Sequence, residues 1–310
     1  MGSGSDSWAA IRRVQTAAAR VNSLSFFFMQ LADPQFGMYA ELSRMDDAER
    51  VRVEGMGMNL PFAPETFGLD YETDHYSKAI AAANRLRPDF VVTCGDMCND
   101  MIDPADELAE LRRITATLDP DIPMYWVAGN HDVTNEPTHE SIENYRERFG
   151  PDFYSFDRSG SHFVVLNSTV WQQPVNVPDE LDKQIEFLKS DLRSAREAGA
   201  DNIVLFTHHP PFLTYVDEGD SWLVLPQERR RILVDLLTEY DVSTVFSGHW
   251  HRNHTAFFGG LQIVVTGATG LPLGPDPSGL RLVTVRPEGV SHRFYSFDQM
   301  PTEFSPGLET

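Results

Sequence analysis

Five short polar groups, each directly after a run of apolar residues, carry residue types that bind divalent metals: Asp33-Pro34-Gln35, Gly95-Asp96, Gly129-Asn130-His131-Asp132, His208-His209 and Gly248-His249-Trp250-His251. Carboxylate, amide and imidazole together form a mixed oxygen and nitrogen donor set for divalent metals. Taken singly, most of these groups have ordinary uses. A lone Asp after a strand commonly caps a turn or helix, and His208-His209 before Pro210-Pro211 suits a structural turn. Gly-His-x-His is more specific, because two imidazoles two apart on a loop can address two neighbouring metals. In Gly-Asn-His-Asp the glycine lets the backbone turn tightly while amide and imidazole point into one place. The joint occurrence of all five groups in this order carries far more weight than any one of them.

Residues so far apart in sequence need a scaffold that gathers them, and the chain reads as one. Apolar runs Leu24–Leu31, Asp89–Cys94, Met124–Ala128, Ile203–Thr207 and Thr244–Ser247 are strand candidates, and each stops at one of the polar groups. Helical patterns over Thr73–Leu86, Glu107–Leu118, Pro178–Ala198 and Pro226–Tyr240 alternate with them, which argues for sheet with helices on its faces. Phe153–Phe156 with His162–Leu166, and the runs Ala256–Phe258, Leu261–Thr266, Leu280–Val285 and His292–Phe297, read as hairpin-like strands around Gly-containing turns. These residues predict an α/β layered domain over 24–298 in which two halves form a two-sheet sandwich. A leader is expected over 1–23 and a tail over 299–310. Polar groups at the carboxyl ends of strands converge in such folds. The segment from Phe36 to about Tyr71 is too irregular to be a core element. It and the acidic-aromatic stretch Tyr215–Leu225 are the expected binding loops, at least one of them roofing the site.

Lys and Arg number 25 against 46 Asp and Glu, a formal charge of -21, which argues against nucleic acid or an anionic membrane surface as partner. No run reaches the roughly 20 apolar residues of a membrane helix. The short apolar stretch Leu24–Ala32 lacks a signal-peptide cleavage pattern, so the expected location is cytoplasmic. Cys94 and Cys98 imply no disulfide framework and are expected as buried free thiols. The sequence sets no oligomeric state.

In its motifs the chain resembles the calcineurin-like metallophosphoesterases, whose signature is Asp-x-His, Gly-Asp, Gly-Asn-His-Asp/Glu, His and Gly-His-x-His, over nearly its whole length, Phe26 to Phe297. Ala32-Asp-Pro-Gln-Phe-Gly37 and Gly279-Leu280-Arg281 are similar, more narrowly, to its branch of calcineurin-like phosphoesterase domain-containing proteins. The resemblance implies a four-layer α/β/β/α sandwich of two mixed sheets flanked by helices. It implies two divalent metal ions (Mn, Fe, Mg or Zn): one held by Asp33, Gln35, Asp96 and His251, the other by Asp96, Asn130, His208 and His249, with Asp96 bridging. His131 falls where the family places its acid. Gln35 departs from the pattern, standing where the family has histidine. An amide oxygen is a neutral, harder and weaker donor than imidazole, so the first site should favour Mn, Mg or Fe over Zn and bind more loosely.

Two such cations about 3.5–4 Å apart would lower the pKa of a bridging water and clamp a phosphoryl group for in-line attack. Asn130 would ligate and orient phosphate, His131 would protonate the departing alkoxide, and Asp132 would fix the His131 tautomer or cap the helix near Thr138. Arg252, Asn253 and Arg281 are the basic or amide candidates for substrate contacts, and His209 for support of its neighbour. His75, His139, His162, His254 and His292 lie outside the pattern. The expected activity is hydrolysis of a phosphorylated substrate, a phosphomonoester, with protein phosphoserine/phosphothreonine implied by the branch. A sugar or inositol phosphate, or a nucleotide or cyclic phosphodiester, fits the same core. A non-catalytic metal-binding scaffold is the remaining class; Asn130 with His131 speaks against it, and Gln35 alone speaks for it.

Overall fold

Six buried residues open the described chain as β1 (Phe26–Leu31), and they divide between two faces. Phe26 and Phe28 enter one apolar cluster while Phe27, Met29 and Leu31 enter another, as the two-residue period of a strand buried on both sides requires. The computed structural model describes residues 25–55, 57–60 and 64–306. After β1 the elements are α1 (Met38–Ser43), α2 (Asp47–Gly55), α3 (Asp70–Leu86), β2 (Val91–Cys94), α4 (Ala105–Thr115), β3 (Met124–Val127), α5 (Asn130–Val133), α6 (His139–Phe149), β4 (Tyr154–Arg158), β5 (Ser161–Val165), α7 (Ser168–Gln172), α8 (Pro178–Ala198), β6 (Ile203–Phe206), α9 (Gln227–Glu239), β7 (Thr244–Ser247), β8 (His254–Phe258), β9 (Leu261–Val265), β10 (Gly279–Arg286) and β11 (Gly289–Ser296).

Two mixed sheets result, ordered β11-β10-β1-β2-β3 and β4-β5-β6-β7-β9-β8. In the first, β1, β2 and β3 run parallel while β10 and β11 pair antiparallel at the other side, with Arg281 opposite Gln30. The second has a parallel centre, β5-β6-β7-β9, closed by antiparallel β4 and β8 at its edges. Phe28, Val92, Phe163, Phe206 and Phe246 pack between the sheets. The outer faces are covered by helices: Ala79, Ile80 and Ala83 of α3 pack with Met29 and Val91, and Leu188, Leu192 and Leu233 of α8 and α9 pack with Leu205 and Val245. This is the four-layer arrangement, with helices at i, i+3, i+4 spacing presenting one apolar face inward. α3 ends at Arg87 in the left-handed region before Pro88, and α8 starts with Pro178 and ends at left-handed Gly199.

The structure corrects several expectations. The segment from Phe36 to Tyr71 is not structureless: it holds α1 and α2, and Leu42, Val53 and Leu60 form a small core with Leu271 and Leu273. α5 and α7 were not legible as helices, being too short to show a period, whereas the helix expected near Thr138 is α6, set by Thr138 accepting the N–H of Ser141. The expected tail is packed in its first part, because Met300 and Phe304 join the first sheet's helix-side core and the Phe304 ring meets Phe27 at 4.9 Å. The expected leader over 1–23 lies outside the described residues. Cys94 and Cys98 are buried free thiols. No helix among the described residues is long and apolar enough to cross a membrane.

Candidate metal centre

Each of the five polar groups follows the carboxyl end of a strand: Asp33 and Gln35 after β1, Asp96 after β2, Asn130 and His131 after β3, His208 after β6, His249 and His251 after β7. The loops interlock through their backbones, with Asp33 N–H to Gly95 O at 3.2 Å, Gln35 N–H to Asp96 O at 2.9 Å and Gly248 N–H to His208 O at 3.0 Å. Asp33, Gln35, Asp96, His249 and His251 all adopt positive φ, between 37° and 71°. Non-glycine residues in that region cost on the order of 1–3 kcal/mol each, and such strain concentrates at functional sites. Gly129 and Gly248 have no room for a side chain, because carboxylate oxygens of Asp96 and Asp33 occupy the space a Cβ would take.

The hydrogen bonds fix where the imidazole lone pairs point. A carbonyl oxygen only accepts, so Nδ1 of His208, 2.9 Å from Cys94 O, carries hydrogen, as do Nδ1 of His251, 2.6 Å from Leu271 O, and Nε2 of His249, 3.0 Å from Trp222 O. The opposite nitrogens therefore turn bare lone pairs inward, the arrangement by which a remote carbonyl orients a metal-ligating histidine. His208 Nε2 then faces Asp96 Oδ2 at 3.1 Å, Asn130 Oδ1 at 3.0 Å and His249 Nδ1 at 3.1 Å. Asn130 is held oxygen-inward because its amide nitrogen donates to Asn135 Oδ1 at 2.9 Å. Four acceptors thus confront one another, and only a cation or a proton relieves that.

A second set lies alongside. His251 Nε2 is 3.4 Å from Asp33 Oδ1, and ligand atoms of Asp33, Asp96 and His208 lie within 4.8 Å of one another. Gln35 donates its amide nitrogen to Asn99 Oδ1 at 3.1 Å, leaving Oε1 buried without a partner. That orphan oxygen is what a ligating amide would present. In the polypeptide alone, burial opposes charge on His208 but Asp96 overcomes it and raises the ring to about 9, while burial and His208 hold His249 down at about 3. The donor sets fit two divalent cations, with Asp96 placed to serve both.

His131 reaches the cleft with Nδ1 2.7 Å from Asn99 O, so Nδ1 carries hydrogen and Nε2 is the nitrogen free to exchange a proton. Its own N–H binds the second oxygen of Asp96 at 2.8 Å. Asp132 does not orient His131, as expected from sequence, and does not cap α6. Its carboxylate accepts the N–H groups of Asp96 at 2.8 Å, Met97 at 3.0 Å and Gly129 at 2.8 Å, clamping the β2 and β3 loops together. The tautomer-setting partner of His131 is a backbone carbonyl, which leaves no mark in a sequence.

The cleft over this centre, about 470 Å³, is walled by Met38 and Met58 from the 36–71 segment, Leu273, and Trp222 from the 215–225 stretch, so both expected loops reach it. None of its lining side chains among the described residues is Lys or Arg. The three proposed substrate contacts are not there. Arg252 is spent on Leu273 O at 2.9 Å and Gly57 O at 2.8 Å, tying the 36–71 segment down. Arg281 is buried between the sheets on Thr266 Oγ1, Asn253 Oδ1 and His292, each within 2.9 Å, and Asn253 Oδ1 also takes the Gly267 N–H at 3.2 Å. Burial lowers the Arg281 pKa to about 10. Outside the pattern, His162 is held by Asp157 and Asp191, and His254 by Leu213 O. Asn99, Asn135, Thr169 and Gln172 are residues at or beside the cleft that sequence reasoning missed.

A profile of the calcineurin-like phosphoesterase family matches residues 29–253. The serine/threonine-protein phosphatase CPPED1 of Homo sapiens is 34% identical over 283 residues, covering 89% of this chain and 85% of that one, and its Danio rerio counterpart is 32% identical over 280. Among solved structures, a dimetal phosphatase from Danio rerio aligns at TM-score 0.57 and 17% identity over 87% of this chain and 99% of that one. The purple acid phosphatase PPD1 of yellow lupin aligns at TM-score 0.60 and 15% identity over 90% of this chain and 52% of its own. At those identities the structural matches speak for the fold.

Proposed function

Because the chain belongs to the calcineurin-like phosphoesterase family, and so is a metal-dependent phosphoric ester hydrolase, we propose that it loads two divalent cations, Mn, Fe, Mg or Zn, and hydrolyses phosphomonoesters, with protein phosphoserine or phosphothreonine as the substrate class. The observation that carries this reading is the confrontation of four acceptors from Asp96, Asn130, His208 and His249 beside the orphan oxygen of Gln35. When bound, the two cations supply a nucleophile at neutral pH and neutralise charge on phosphoryl oxygens.

The chain's own residues do the rest. Asp33, Gln35, Asp96 and His251 hold the first cation, and Asp96, Asn130, His208 and His249 the second. Two carboxylates among neutral ligands offset only part of four positive charges, so the centre attracts an anion. Asn130 has one amide hydrogen engaged with Asn135 and the other available to a phosphoryl oxygen. His131, held by Asn99 O, delivers a proton from Nε2 to the departing oxygen.

The absence of Lys and Arg from the described lining, with Glu136 at the cleft and a net charge of -21, disfavours nucleotides and multiply phosphorylated inositols. The same feature favours one second reading, a phosphodiester, which carries one charge fewer. Turnover of p-nitrophenyl phosphate against bis(p-nitrophenyl) phosphate by the Mn-loaded protein separates the two: a higher kcat/KM for the monoester supports the reading above, and a higher one for the diester replaces it.

A further inference from the structure

One wall of the cleft takes no part in the chemistry above. It is built by α7 and His209, and its polar atoms are buried yet incompletely bonded. Ser168 Oγ accepts the backbone N–H groups of His208 and His209 at 3.1 and 2.8 Å, which fills both lone pairs of the hydroxyl. Its single proton therefore goes to the remaining partner, His209 Nδ1, 3.1 Å away. His209 is thereby fixed with Nδ1 as acceptor and hydrogen on Nε2. Neither ring nitrogen keeps a lone pair for a cation, although the residue stands beside two proposed ligands, its ring 4.3 Å from that of His249. His209 lines the cleft, and what it offers there is an N–H donor.

Thr169 follows on the same wall. It is fully buried, lines the cleft, and its hydroxyl has no partner. One helical turn on, Gln172 also lines the cleft; its amide nitrogen reaches Ser221 O at 3.4 Å, and its buried amide oxygen has no partner. Buried polar atoms are nearly always satisfied, so two orphan oxygens on one short helix mark where a ligand completes the set. The wall presents a donor, a hydroxyl and an acceptor, none of them charged. A carboxylate or a second phosphate would meet the Gln172 oxygen with no cation to balance it. A planar amide, whose N–H and C=O point in opposite directions, spans acceptor and donor one turn apart, which a single hydroxyl does not.

We propose that Thr169, Gln172 and His209 form a neutral subsite for the peptide amide adjoining the phosphorylated side chain, with the amide N–H on Gln172 Oε1 and the amide oxygen on Thr169 or His209. This deepens, and rests on, the phosphatase reading of the metal centre. Calorimetric binding of N-acetyl-O-phosphoserine N-methylamide and of phenyl phosphate to the Mn-loaded protein tests it.

The capped amide binds more tightly than phenyl phosphate to the unmodified protein. Thr169→Val and Gln172→Met each lower that preference about five- to tenfold, the loss expected for one hydrogen bond. Thr169→Ser, which keeps the hydroxyl, keeps the preference and so separates the lost bond from lost packing. A preference unchanged in both variants, or a sugar phosphate bound more tightly than the capped amide, overturns the subsite, and so does binding of neither ligand. Turnover of the capped amide, followed in parallel, keeps the two readings apart. Binding with the expected pattern but without turnover upholds the subsite and removes the phosphatase reading, whereas turnover with an unchanged preference does the reverse.

Discussion

The two sheets bring different chemistry to one seam. From the first come oxygen donors, Asp33, Gln35, Asp96 and Asn130; from the second come only imidazoles, His208, His249 and His251. The two sets are also held differently. The oxygens sit on loops cross-braced by backbone bonds and by the Asp132 carboxylate, whereas each imidazole is aimed by one carbonyl behind it. A carboxylate has lone pairs for two cations and carries charge; an imidazole has one lone pair and carries direction. On the proposed function, the first half would therefore set how many cations the centre holds, and the second how firmly and in what geometry.

The largest expected effect breaks that division at its hinge. Asp96→Asn removes the one charged group shared by both proposed cation sites, so metal content should fall towards zero and turnover by about a thousandfold or more, measured by plasma emission and p-nitrophenyl phosphate kinetics. Metal content unchanged in that variant would show that the first half does not set occupancy. His131→Ala touches neither donor set: metal content should hold while kcat falls by about a hundred- to ten-thousandfold, the usual weight of a general acid.

The support of the first half is itself pH-sensitive. Glu72 is buried with one oxygen on the Tyr39 N–H at 2.8 Å and the other without a partner, and burial raises its pKa to about 7. Since the folded state favours its neutral form, its contribution to stability is fully present below its ordinary value near 4.5 and lost as pH rises through 7. Glu72→Gln should remove on the order of 2 kcal/mol of that pH-dependent loss, visible as a flatter plot of unfolding free energy against pH; an unchanged slope would place the proton elsewhere. The smallest change sharpens the contrast between donor types. Gln35→His puts an imidazole into the oxygen half, with Asn99 Oδ1 positioned to take its remote N–H, and should tighten the first cation by about tenfold. Unchanged affinity would mean Gln35 does not ligate.

Much of this was legible in the chain because apolar strand runs stop abruptly at metal-binding residues, and strand ends gather in layered α/β folds. Asp33, Gln35, Asp96, Asn130, His131, His208, His249 and His251 are all brought to the seam. What stayed hidden was direction. Arg252 and Asn253 follow His251 in sequence, yet one reaches back to tie down Gly57 and the other turns between the sheets to meet Arg281. Asp132 was misread for the same reason: the carboxylate next to His131 has three closer backbone donors. Thr169 and Gln172 carry no signal at all, since a five-residue helix shows no period and Thr and Gln are unremarkable until their buried oxygens are found unpaired.

The most direct test of the centre is metal content paired with turnover of p-nitrophenyl phosphate, before chelation, after it, and during readdition of Mn. Turnover should vanish with the chelator and return in step with metal, reaching its plateau at about two ions per chain. Turnover that persists without metal, or that plateaus at one ion, would contradict the proposed paired centre.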